Sequence, residues 1–198
     1  MDLAERVIAA VADHPAVRDI RLVGSRAAGC AIELSDWDFV VETNDFAAIA
    51  EALPHQLAPF EPAAQQWDRL SREYCWMVIV AGPAKIDLIF AGEPHAEEPP
   101  WEPNGRNLEA IDAHFWDWML WLRAKEASGK LEHVGTELEK LFEHLLAPLQ
   151  VQRRPSSIAE AVAGYRAARR RAEQRFGVTV GRELEAVVAP AFSEHRAR

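Results

Sequence analysis

The chain has 198 residues, 49% hydrophobic and 27% charged, enough apolar matter for one large domain or two small ones and too much for a disordered chain. Its 22 basic residues against 31 acidic ones leave a net charge of −9, which argues against nucleic acid as a partner held by a basic surface. Cys30 and Cys75 are too few for a disulfide framework, and there is neither a leader-like start nor an apolar run of about 18 residues. A cytoplasmic protein with no membrane partner is expected.

Leu3, Val7, Ile8 and Val11 recur at helical spacing and predict an amphipathic helix over 2–13. Ile20 to Val23 reads as a strand that meets a turn at Gly24-Ser25. Asp36 to Val41 reads as a second strand. Asn44 is placed to cap a helix from about Asp45 to Leu53, with Pro54 as its stop. Residues 54–72 carry few signals. Tyr74–Val80 and Lys85–Phe90 are β-prone runs around Ala81-Gly82-Pro83-Ala84 and predict a hairpin.

The stretch 92–105 is rich in Pro and Glu and reads as a linker or exposed loop, so the boundary between two domains, 1–103 and 104–198, is placed there. Beyond it the pattern is helical. Leu108, Ile111, Phe115, Trp118, Met119 and Leu122 mark one apolar face, and Leu131 to Leu149 carry another after Gly129. Ser157 to Glu160 fits a capping box that opens a third helix, and a last one is expected over about 182–188. The fold class expected is thus α+β: a mixed α/β catalytic unit followed by an all-helical C-terminal bundle.

The chemistry concentrates between Val23 and Val41. Side chains two apart on a strand share a face, so Asp36 and Asp38 project together, roughly 6.5–7 Å apart along the chain, with Trp37 and Phe39 on the other side. Two carboxylates brought to about 4 Å repel by about 4 kcal/mol at an effective dielectric near 20. A hard divalent cation turns that repulsion into binding, because Mg²⁺ prefers carboxylate oxygens together with substrate phosphates. Asp87 adds a third acid inside the apolar run Ile86–Phe90, where a lone carboxylate is costly without a partner or a metal. Gly24 permits a tight turn and close approach of the backbone, and Ser25 with the amides after it can line a phosphate nest. A phosphate cradle, a metal pair and a third carboxylate suit two-metal displacement at phosphorus.

This stretch resembles the signature of the DNA polymerase β nucleotidyltransferase superfamily: a strand ending in Gly24-Ser25, a spacer of about ten residues, then Asp36-Trp37-Asp38 on a strand, with Asp87 on a later strand. The wording Gly-Ser-Arg-Ala-x-Gly followed by Ser-Asp-x-Asp is most similar to the bacterial branch of aminoglycoside, lincosamide and minimal nucleotidyltransferases. The resemblance covers about residues 18–90. It implies a polymerase-β-like fold, a two-metal Mg²⁺ site on Asp36, Asp38 and Asp87, and ATP or another nucleoside triphosphate as substrate. Gly24, Ser25 and Arg26 would bind the nucleotide. Asp87 would join the second metal or act as base on the acceptor hydroxyl. For Arg26, phosphate contact and a structural ion pair stand level.

Two kinds of acceptor follow from that resemblance. One is a small molecule such as an aminoglycoside-like antibiotic, an antibiotic-resistance activity to which Glu93, Glu97, Glu98 or Glu102 could contribute attraction. The other is a protein partner adenylylated by a minimal-nucleotidyltransferase antitoxin. The helical half favours the first. RNA tailing ranks below both, and the sequence does not set the oligomeric state. Trp116, Trp118 and Trp121 are expected to pack in the core or between domains, and the arginines from Arg166 to Arg175 to form a solvated helix face. The seven histidines show no metal-ligand spacing.

Overall fold

A computed structural model describes residues 1–192. The chain divides into two compact units, Met1–Glu98 and the residues from Pro99 onward. Pro99 to Pro103, assigned from sequence to the first domain, therefore group with the second unit.

The first unit is a five-stranded mixed sheet. Its strands are β1 (Val17–Leu22), β2 (Trp37–Thr43), β3 (Ala64–Trp67), β4 (Glu73–Val80) and β5 (Ala84–Pro94), in the order β1-β2-β5-β4-β3. Only β2 and β5 run parallel; the other neighbours are antiparallel. Helices α1 (Leu3–Ala12) and α3 (Phe46–Gln56) contribute Val7, Val11, Ile49 and Leu53 to a core that also takes Phe39, Val41, Val78, Ile86, Leu88 and Phe90 from the strands. Those strand residues are alternate positions, so they share one face of the sheet. The residues between them, among them Asp38, Lys85 and Asp87, belong to the opposite face.

Three local features depart from the sequence reading. The cap of α3 is Asp45, whose carboxylate accepts from the Ala48 amide, and not Asn44. The helix also runs through Pro54 to Gln56. The missing proline N–H costs one ladder bond, while Leu53 and Leu57 on either side are fully buried and the Leu57 amide still reaches the Leu53 carbonyl at 3.0 Å. Finally, the weakly patterned stretch before Tyr74 contains the edge strand β3. Its two glutamines hid it, and its Trp67 holds it, meeting Trp76 edge-on at 4.9 Å across the ladder.

The second unit is helical: α4 (Leu108–Ala127), α5 (Leu131–Leu141), α6 (Ile158–Phe176) and α7 (Glu183–Val188), with one π-helical turn over Phe142–Leu146. Helix α4 contacts α5, α6 and α7 and is buried on more than the single face its pattern marked, since Asp112, His114, Trp116 and Asp117 are buried too. The capping box at α6 is half formed. Ser157 accepts from the Glu160 amide, but the Glu160 carboxylate turns to the amide and hydroxyl of Ser156. A complete box closes the start of α1 instead, between Asp2 and Glu5.

The arginine stretch on α6 is not uniformly solvated. Arg169 is only 4% exposed; it donates to the Asp112 carboxylate at 2.7 Å and pairs with Glu185. Tyr165 donates to the same Asp112 oxygen at 2.6 Å, and Arg166 to Glu185 at 2.7 Å. Among the described residues, no helix is long and apolar enough to cross a membrane.

Candidate metal and nucleotide site

Asp38 on β2 and Asp87 on β5 are directly paired in the parallel register, and Asp36 stands one residue before β2 begins. Each of the three offers a carboxylate oxygen, and those oxygens all lie within 4.8 Å of one another. Asp36 and Asp87 are each 8% exposed and Asp38 is half-buried. Period-two alternation produces this. It sends Phe39, Ile86 and Leu88 into the core and leaves the acids together on the other face. Among the described residues no second group of acidic, histidine or cysteine side chains is so placed. The donor set is all carboxylate oxygen, which fits a hard ion such as Mg²⁺ and would not suit a soft one.

Gly24 and Ser25 open a single helical turn, α2 (Gly24–Ala27), directly after β1. Gly24 has φ +67°, and a Cβ built on it would lie 2.3 Å from Asp38 Oδ2. The glycine is therefore required twice, by its backbone conformation and by the carboxylate occupying the place of a side chain. The Val23 amide donates to the Asp38 carbonyl at 2.8 Å, fixing the turn to β2.

Arg26 is built into the scaffold. Its Nε donates to the carbonyls of Ser35 and Asp36 at 3.0 and 3.1 Å, and its Nη2 to those of Ser35 and Glu33 at 2.6 and 3.2 Å. The guanidinium also lies 3.8 Å from the centre of the Trp37 ring. Burial lowers its pKa below the ordinary guanidinium value, against the pull of the Asp36 and Asp38 charges. Of its two readings, phosphate contact and a structural role, the structural one describes these contacts with carbonyls and a ring. Arg26 holds the turn that delivers Asp36.

Lys85 belongs to the site and was read from sequence only as the start of a strand. It is 6% exposed and its Nζ pairs with both oxygens of Asp87, two residues along the same face of β5. The signal was present in Lys85-Ile86-Asp87, opposite charges at strand spacing inside an apolar run. Of the acids near the linker, Glu98 forms an ion pair with Arg69 at 2.8 Å. The buried His114 accepts from Trp101 Nε1 at 3.0 Å.

No protein-family model and no curated protein sequence matches the chain. Among solved structures it is similar to nucleotidyltransferases, with TM-scores under 0.5. An aminoglycoside 6-adenyltransferase from Bacillus subtilis is 10% identical, with 96% of this chain and 98% of that one covered and a TM-score of 0.34. The polymerase core of TRAMP, an RNA surveillance complex, is 13% identical over 90% of this chain and 57% of that one, with a TM-score of 0.42. A cytoplasmic RNA terminal U-transferase is 14% identical over 74% of this chain, with a TM-score of 0.37, and the chain spans about 34% of that protein's length.

Proposed function

We propose that the chain is a Mg²⁺-dependent nucleotidyltransferase, which moves a nucleoside monophosphate from ATP or another nucleoside triphosphate to a hydroxyl of a small molecule. The observation that carries this reading is the gathering of Asp36, Asp38 and Asp87 within 4.8 Å, with the Gly24 backbone against Asp38. Three mutually repelling acids on one sheet face cost stability, and a cation with a polyphosphate is the ligand that recovers it.

Asp36 and Asp38 would hold the ion, and Asp87 is the third carboxylate, available as a further ligand or as the acceptor of a proton. When bound there, Mg²⁺ supplies positive charge to the triphosphate oxygens. The turn at Gly24 and Ser25 lets backbone amides approach the β- and γ-phosphates. The acceptor oxygen forms a bond to the α-phosphorus as its proton leaves. The bond from that phosphorus to the bridging oxygen breaks, and pyrophosphate departs with the electron pair. Arg26 acts at a distance from these atoms, by holding the backbone of Asp36.

An aminoglycoside-like antibiotic is the first acceptor class to test. The protein is incubated with Mg²⁺, labelled ATP and a pooled panel of aminoglycosides and lincosamides, beside an Asp36→Ala/Asp38→Ala variant. Label transferred by the wild type and not by the variant is the expected result. Binding of ATP without transfer redirects the search to other acceptors. Absence of Mg²⁺-dependent binding as well as transfer overturns the reading.

A further inference from the structure

Lys85 changes what Asp87 can do. A lysine is rarely buried unless paired, and this one pairs with both oxygens of Asp87 from the same face of the same strand. An ion bound to those oxygens would meet the lysine ammonium at contact range, like charge against like, in a site where Asp87 is itself buried. We infer that Lys85 is the resident cation of the site: its ammonium takes the place at Asp87 that a second metal would take, so that the protein carries one divalent ion, on Asp36 and Asp38. This rests on the nucleotidyltransferase reading and deepens it.

The geometry leaves Asp87 a role. An ionised carboxylate has about four lone-pair sites, and a lysine bonded to each oxygen occupies two of them. Another stays on each oxygen for the hydrogen of an acceptor hydroxyl. Lys85 is then a positioning residue, which fixes the Asp87 carboxylate and places its ammonium beside it. A lysine serving packing alone would have no reason to stand at the one acid that faces two others across the β2–β5 pairing.

The test counts ions. Mn²⁺ replaces Mg²⁺, α,β-methylene-ATP serves as a nucleotide whose α–β bond cannot be cleaved, and bound Mn²⁺ is measured from the electron-paramagnetic signal of the free ion. Wild type is expected to hold one Mn²⁺ per chain with the nucleotide bound, and Lys85→Met two. Two ions in the wild type overturn the inference, as does one ion in both proteins, and either result leaves the nucleotidyltransferase reading intact. No uptake of Mn²⁺ or nucleotide by the wild type overturns both. If Lys85→Met does not fold by near-ultraviolet circular dichroism, Asp87→Asn is read instead. One bound ion, with affinity within twofold of the wild type, is expected; a tenfold loss would make Asp87 a ligand and overturn the inference.

Discussion

The two units bury charge in opposite ways. In the helical unit, Asp112, Tyr165, Arg169 and Glu185 form a network in which one arginine bridges two acids and a tyrosine donates to one of them. In the α/β unit, three acids gather together, one of them paired with Lys85, and Arg26 nearby directs its Nε and Nη2 to backbone carbonyls. In the first cluster each acid meets an arginine donor. The second carries an excess of negative charge on one sheet face, which is costly for a fold and useful for a site that takes up a cation. Removing a charge should therefore harm the first cluster through stability and the second through function.

The largest stability effect is expected at Arg169. Arg169→Met strands Asp112 and weakens the hold on Glu185, and breaking a buried pair on one side costs about 3–5 kcal/mol. Urea unfolding of the full chain should show a stability lower by that amount; a change under about 1 kcal/mol would mean the pair is better solvated than the 4% exposure of Arg169 indicates. The opposite pattern is expected at the acids. Asp38→Asn should lower transfer by about 10²–10³-fold, the scale seen when one electrostatic contact to a transition state is removed. In the absence of Mg²⁺, its melting temperature should equal or exceed that of the wild type, because a repulsion is relieved. A destabilised Asp38→Asn would show that the acids hold the fold together, and the comparison would fail.

Gly24→Ala tests the join between scaffold and site. A left-handed conformation costs a non-glycine residue about 1–2 kcal/mol, and the new methyl would press on Asp38 Oδ2. The expected outcome is a modest fall in the urea midpoint with at least a tenfold fall in transfer. Equal and small effects on both would mean that Asp38 moves aside without consequence.

Much of the α/β unit was legible because its information is local. Strand alternation alone places Asp36 and Asp38 with one another and opposite Phe39, and the apolar run around Asp87 marks a buried strand. What stayed hidden depended on tertiary contact. Strand β3 has little β-propensity in its Ala64-Gln65-Gln66 start and is held by Trp67 against Trp76. Pro54 should end α3 by local rules, but burial of its neighbours Leu53 and Leu57 outweighs them. Arg169 lies in a run of arginines whose members are chemically alike. Only the meeting of α6 with α4 and α7 selects that one for Asp112 and Glu185. Lys85 is the instructive case, since its spacing from Asp87 along the strand is sufficient to name it as the partner that a carboxylate in an apolar run requires.

The smallest effect expected is in the pH dependence of stability, where the helical network contains contributions of both signs. Burial alone would raise the pKa of Glu185, but hydrogen bonding and charge from Arg169, joined by Arg166, outweigh it and hold the carboxyl below its ordinary 4.5. Below pH 4.5 the unfolded chain then binds more protons than the folded one, so this contribution is present above 4.5 and is lost as pH falls through the folded value. Asp112 has the opposite sign. Burial raises it above 3.8 in spite of the hydrogen bonds from Tyr165 and Arg169, so its contribution is greatest below 3.8 and declines as pH rises through the folded value. The urea midpoint of the full chain should accordingly fall as pH drops below 4.5, and Glu185→Gln should flatten that acid limb while leaving the slope above it unchanged. A Glu185→Gln profile parallel to the wild type throughout would place the acid sensitivity outside this network and overturn the assignment to Glu185.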